Sequence, residues 1–212
     1  FDKKKYNKGH QVEKYNNFVN DSLQISTTSS NLKLYFDGKS KDNKNRLLGI
    51  NPGASYGSAK RWYPKEFAAV ARDLSKQYDI IIFGGPEEAD IAADIEKCLI
   101  KDGIKNYQNL AVKTSITDLI SQISNLDLFI TGDSGPMHLA SALNIPTVAI
   151  FGPTNHKETS QWMNEKNVIV RRNIDCQPCM ERSCPLLHHN CMKQIKAAEV
   201  LSAVKRLNLT NL

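Results

Sequence analysis

Four short apolar runs constrain the fold of this chain more than any other feature. Residues 46–51 (RLLGIN), 79–83 (DIIIF), 127–131 (DLFIT) and 146–151 (PTVAIF) are too short for helices, and each is followed by glycine or proline. They do not alternate apolar with polar residues, so a sheet covered on both faces is expected. Between them lie stretches of helical spacing. Pro64 opens one that places Phe67, Val70, Ala71 and Leu74 on one face, and proline suits a first helical turn. Others cover residues 87–99, 115–123 and 135–143, with Ser115 three residues before Asp118 in an N-cap arrangement. A short strand is expected within 106–112, another at 168–170, and a final helix over 197–207. Strands alternating with helices in this way predict an α/β fold: a Rossmann-like parallel sheet with helices on both faces.

The first 45 residues read differently. Val12, Tyr15, Phe18, Val19 and Leu23 recur at helical spacing and predict a helix over 10–23, followed by a Ser/Thr-rich connector. Residues 37–45 (DGKSKDNKN) form a charged, turn-rich stretch with no core residue. The organised domain is expected to begin at residue 46.

Composition narrows the partners. Twenty-eight Lys+Arg against 22 Asp+Glu leave a formal charge of +6, and 24% charged residues is ordinary for a soluble globular protein. No apolar run approaches the ~18 residues of a membrane span. The start, Phe1-Asp2-Lys3-Lys4-Lys5, is not followed by the apolar stretch of a secretory signal. Nucleic-acid binding would need clustered Lys/Arg with interleaved aromatics, and no such stripe is visible. An anionic small molecule or an acidic membrane surface fits the charge. A cytoplasmic protein with reduced thiols is expected.

In an open α/β sheet, ligands bind beyond the carboxyl ends of the strands. Three such ends carry suitable residues. After the first run, residues 52–62 (PGASYGSAKRW) combine small residues with Lys60 and Arg61. Loop N–H groups, a point charge and a guanidinium fork would hold a phosphate; a turn followed by two solvated cations is the other reading. After the second, Gly84-Gly85-Pro86 precedes Glu87 and Glu88, which could accept from ribose hydroxyls or simply start a helix favourably. After the third, Thr131-Gly132-Asp133-Ser134-Gly135-Pro136-Met137-His138 leads a strand into a helix, with Ser134 placed to present its hydroxyl. The start of that helix favours a diphosphate. Asp133 suits a cap or a sugar hydroxyl, and His138 faces either the cleft or the core. Together the three ends predict a nucleotide site.

Gly-Asp-Ser-Gly-Pro-Met-His at 132–138, with Phe-Gly-Pro-Thr at 151–154, resembles the signature of the bacterial lipopolysaccharide heptosyltransferases. Residues 52–62 are similar to their donor-phosphate loop. The Cys-x-x-Cys and His-His-x-Cys-Met elements within 176–192 resemble the heptosyltransferase II branch of glycosyltransferase family nine. The likeness runs from about residue 46 to the end, with a weaker echo at Gly9-His10-Gln11-Val12. It implies a GT-B fold of two Rossmann-like domains, of which this chain is the C-terminal, donor-binding one. Residues 1–45 would then be a linker helix and connector from a missing N-terminal domain, a reading that suits the non-Met start. The resemblance further implies Lys60 and Ser55 on the donor diphosphate, Glu87 or Glu88 on the ribose, and Thr114 at the adenine. Asp133, Ser134, Gly135 and His138 would surround the phosphates and heptose. The implied reaction moves heptose from ADP-L-glycero-D-manno-heptose to the lipopolysaccharide inner core by inverting displacement. No metal cofactor is required in it, and its catalytic base lies outside this chain. The chain alone would bind donor and catalyse nothing, working, when intact, at the inner face of the inner membrane. Alternatives are a non-catalytic nucleotide-binding module and a transferase using another nucleotide sugar.

Cys176, Cys179, Cys184 and Cys191, with His188 and His189 between them, supply enough ligands for a tetrahedral zinc ion. A packed segment with reduced thiols, or disulfides, are the alternatives; a zinc-organised interaction domain would be a third class of function.

Overall fold

The computed structural model describes residues 5–36, 45–53 and 55–209. The first four residues and nearly all of the expected charged loop, residues 37–44, lie outside them. Strands β1 (Arg46–Asn51), β2 (Tyr78–Ile82), β3 (Tyr107–Asn109), β4 (Leu128–Gly132), β5 (Thr147–Phe151) and β6 (Asn167–Arg171) build one sheet. All are parallel, in the order β3-β2-β1-β4-β5-β6. The helices are α1 (Gln11–Leu23), α2 (Pro64–Leu74), α3 (Ala89–Lys101), α4 (Ile116–Ser124), α5 (Gly135–Ala142), α6 (His156–Thr159), α7 (Asn190–Lys193) and α8 (Ala197–Arg206).

Alternate strand residues face opposite layers, as the pleat requires. Leu48, Ile50, Ile80, Ile82, Leu128 and Ile130 pack on one side against Phe67, Val70 and Ala71 of α2, Ile91, Ala92 and Ile95 of α3, and Val200 and Ala203 of α8. Ile81, Phe83 and Phe129 pack on the other against Ile123 of α4 and Ala140 of α5. Gly49 belongs to this second layer for want of room: a Cβ there would lie 2.4 Å from Leu126 Cδ1 and 2.8 Å from Phe129. The sheet is thus covered on both faces, which is why its strands read as continuous apolar runs.

Ser115 caps α4 as expected, accepting from the Asp118 N–H at 3.1 Å. The helix expected from residue 87 begins instead with a 3-10 turn, Pro86–Glu88, before α3. Glu88 folds its carboxylate back onto the Gly85 N–H at 2.7 Å and so tightens this turn. The four-residue helices α6 and α7 were not anticipated, being too short to show a period.

Helix α1 docks on the segment around α6. His10 caps it, accepting from the Val12 N–H with Nδ1 and donating from Nε2 to the Ser160 carbonyl at 2.9 Å. Its ring lies 4.7 Å from that of Trp162. Lys14, nearly buried, pairs with Glu158 at 2.5 Å, and Trp162 Nε1 donates to the Ser30 carbonyl. No helix among the described residues is long and apolar enough to cross a membrane.

Candidate functional site

The strand order reverses between β1 and β4, where a doubly wound sheet opens a crevice. At that point Asn51 is in register with Thr131. Asn51 Nδ2 donates to Ser134 Oγ at 3.1 Å, Ser134 Oγ lies 3.3 Å from Thr131 Oγ1, and Thr131 Oγ1 donates to the Gly132 carbonyl at 3.0 Å. The Ser134 hydroxyl is therefore tied into a polar network at the strand ends and makes no capping bond to α5. Above the network opens a cleft of about 490 Å³, a size suited to a nucleotide.

Five of the residues expected at a site line this cleft: Ser55, Glu88, Thr114, Ser134 and Gly135. Glu88 is nearly buried and sits so close to Gly53 that a Cβ there would lie 1.7 Å from its Cγ. The glycine is what lets the loop after β1 pass over the carboxylate. Ile116 and Leu119 add an apolar wall beside Thr114.

Lys60 and Asp133 are not cleft-lining residues; they form a buried pair beside it. Lys60 Nζ lies 2.6 Å from Asp133 Oδ2 and donates to the Asp133 carbonyl at 3.2 Å. Thr154 Oγ1 donates to the same carboxylate oxygen at 2.6 Å. The ammonium also sits 4.5 Å from the Tyr56 ring centroid, within cation–π range. Asp133 is therefore, through Oδ2 and its backbone carbonyl, the counter-ion that fixes Lys60, one residue from Ser134 in the cleft.

Two of the expected residues, Glu87 and His138, are not among those lining the cleft. Glu87 is exposed and lies outside the cleft, and only its backbone carbonyl is engaged, by an Arg61 donor at 2.9 Å. His138 does not line the cleft either. It is half-buried; burial above all lowers its pKa, Asp133 opposes this, and His10 and Lys60 reinforce it. Finally, Cys176, Cys179, Cys184 and Cys191 do converge, lining one small apolar cavity of about 20 Å³, room for roughly one water. Among the described residues, however, no group of three or more His, Cys, Asp or Glu side chains is arranged to hold a metal ion, and all five cysteines are free thiols. Burial above all, and then its three neighbouring cysteines, push the Cys191 thiol up to about 11. The packed, reduced segment is what the geometry provides.

Sequence reasoning missed Asn51, Tyr56 and Thr154. Asn51 had a signal, a polar residue closing an apolar strand at a ligand-binding edge. Thr154 belonged to a recognised motif without an assigned role. Tyr56 had none, because its importance depends on the fold of the loop around Lys60.

The family described as glycosyltransferase family 9 (heptosyltransferase) matches residues 1–189. The lipooligosaccharide heptosyltransferase 2 of Campylobacter jejuni serotype O:2 is 46% identical over 98% of this chain. Among solved structures, ADP-heptose LPS heptosyltransferase II of Escherichia coli superposes with a TM-score of 0.68 at 24% identity, covering 91% of this chain. An E. coli heptosyltransferase with ADP gives 0.70 at 15% identity and 93% coverage. The two structural likenesses bear on the fold alone. The chain spans 66% of the length of the Campylobacter relative, 50% of the first structure and 57% of the second.

Proposed function

The chain belongs to glycosyltransferase family 9, the heptosyltransferases, and on that basis we propose that its cleft holds the ADP part of ADP-heptose for transfer to a lipopolysaccharide inner core. The observation that carries this reading is the juxtaposition of a nucleotide-sized cleft at the sheet's switch point with a fixed cation beside it. The apolar wall of Ile116 and Leu119 beside Thr114 would receive the adenine. Glu88 would accept from the ribose hydroxyls. Ser55, Ser134 and the start of α5 would face the diphosphate, and Asp133 and His138, beyond Lys60, the heptose.

In this reading an acceptor hydroxyl attacks C1 of the heptose, the C1–O bond to the diphosphate breaks, and the configuration inverts. The acceptor's proton passes to a base in the part of the relatives' length that this chain does not span. ADP leaves with new negative charge, and Lys60 with the α5 start would stabilise it where it develops. Such donors act strongly because they are already oriented, and Asp133 and Thr154 supply that orientation. The positive protein would work against an anionic lipid acceptor at the cytoplasmic face of the inner membrane.

Titration calorimetry with ADP, ADP-heptose and UDP tests the proposal. Selective binding of the two adenine ligands is expected. Equal binding of UDP, or no binding of either adenine ligand, overturns it. In the intact enzyme, Lys60→Ala should cut turnover severely.

A further inference from the structure

The segment 176–191 contributes no residue to the cleft, yet it grips the loop that carries Lys60. The Ala59 N–H donates to the Arg182 carbonyl at 3.0 Å, and the Tyr56 hydroxyl donates to the Met180 carbonyl. Arg182 lies 5.3 Å from the Tyr56 ring, which Lys60 also approaches. Gly57, at φ +155°, lies so close to this segment that a Cβ would be 2.3 Å from the Arg182 carbonyl oxygen.

One side chain ties the two parts together. His189 Nε2 lies 2.9 Å from the Ala59 carbonyl, and its Nδ1 lies 3.1 Å from the Tyr63 hydroxyl. A carbonyl only accepts, so Nε2 carries the proton and, in the neutral ring, Nδ1 accepts from Tyr63. The imidazole therefore bridges the residue just before Lys60 and one three residues after it, spanning the turn at both ends. His189 is itself fixed. Its N–H donates to Cys184 Sγ at 3.4 Å, and its carbonyl accepts from the Met192 and Lys193 N–H groups at 3.1 and 2.8 Å. It holds a left-handed backbone at φ +50°, a conformation that persists in a non-glycine residue when its surroundings enforce it.

We propose that His189 is a positioning residue for Lys60: by bridging Ala59 and Tyr63 it sets the turn so that the ammonium reaches Asp133 and stands ready beside the cleft. The readiness of Lys60 rests on the cleft being a nucleotide site; its position does not. The four thiols around it thereby acquire a role as the packed floor of a clamp, with Cys184 accepting from the clamp residue itself.

Amine acetylation of the intact protein, quantified residue by residue by mass spectrometry, tests this with or without ligand. Lys97, whose side chain is 75% exposed against 11% for Lys60, serves as internal reference. In the wild type Lys60 should react far more slowly than Lys97. His189→Ala should speed Lys60 relative to Lys97 about two- to tenfold, the loss expected from one or two hydrogen bonds. His189→Gln, whose amide can still donate to Ala59, should restore part of the protection. Tyr63→Phe, which removes only the second contact, keeps the test open should His189→Ala fail to fold. ADP affinity should fall in parallel with the loss of protection. Unchanged Lys60 labelling in the variants overturns the proposal, as does a uniform rise at all lysines, which marks general loosening. If labelling responds as expected while the wild type binds no ADP, the positioning role stands and the nucleotide reading falls.

Discussion

Lys60 and Asp133 stand 73 residues apart in sequence, with the ammonium 2.6 Å from one carboxylate oxygen and 3.2 Å from the backbone carbonyl of the same residue. One residue thus neutralises the cation and aims it. Side-chain exposures of 11% and 5% mean that neither charge is well solvated, so removing one strands the other. Lys60→Met should lower stability by about 3 kcal/mol, seen as a clear drop in Tm. Lys60→Met with Asp133→Asn should recover most of that loss, since no unpaired charge is left. ADP binding should stay weak in both. A double variant no more stable than the single one would show that the pair's charges are not what matters.

Glu88 makes a second, separable prediction. One carboxylate oxygen already accepts from the Gly85 N–H, and a glutamine carbonyl can keep that bond while presenting one acceptor fewer. Glu88→Gln should therefore fold normally and bind ADP roughly ten- to a hundredfold more weakly, about the value of one charged hydrogen bond. The wild type should discriminate ADP from 2′-deoxy-ADP, and the variant should not. Equal discrimination by both proteins removes Glu88 from the ribose.

The docking of α1 should be acid-sensitive. The Lys14 ammonium, through its hydrogen bond, holds the Glu158 carboxyl below its usual range, with burial opposing and Asn155 assisting. A carboxyl depressed in the folded state contributes stability that is present above its ordinary range and is lost as the pH falls through the depressed value. Glu158 is 32% exposed, so the effect is modest. Amide exchange in α1 should quicken on acidification before the sheet responds, and Glu158→Gln should reproduce that looseness at neutral pH. Simultaneous loss of α1 and sheet protection at all pH values argues against a local role.

Much of this was legible in the sequence because its signals are local. The apolar runs at 79–83 and 127–131 fall within a residue of β2 and β4, and Ser115 caps α4 where its spacing to Asp118 placed it. Glu88, Ser134 and Gly135 follow from the rule that ligand sites in such sheets lie at strand ends, which are visible as apolar runs meeting glycine; Ser55 and Thr114, which line the same cleft, follow only from the family resemblance. What was not legible is pairwise and long-range. Nothing near Lys60 announces that Asp133 would hold it, and nothing near His138 says that it would be half-buried outside the residues lining the cleft. Glu87 and Glu88 are equivalent on paper. Only the 3-10 turn, which points one carboxylate at Gly85 and leaves the other in solvent, tells them apart.

The cysteines give the last prediction. Cys191 is buried, while Cys176, Cys179 and Cys184 are only partly so. With its thiol pushed up to about 11, first by burial and then by its three neighbours, roughly one molecule in a thousand carries the Cys191 thiolate at pH 8, and the thiolate is the form that reacts. Under native conditions, iodoacetamide should label Cys191 last of the five, and its rate should climb about tenfold per pH unit until the pH nears 11. In denaturant all five should react alike, because the difference comes from the fold and not from the residue. Labelling of Cys191 at the rate of the others in the native protein would mean that the small cavity they share is open to solvent, and that the clamp on the Lys60 loop is looser than its hydrogen bonds imply.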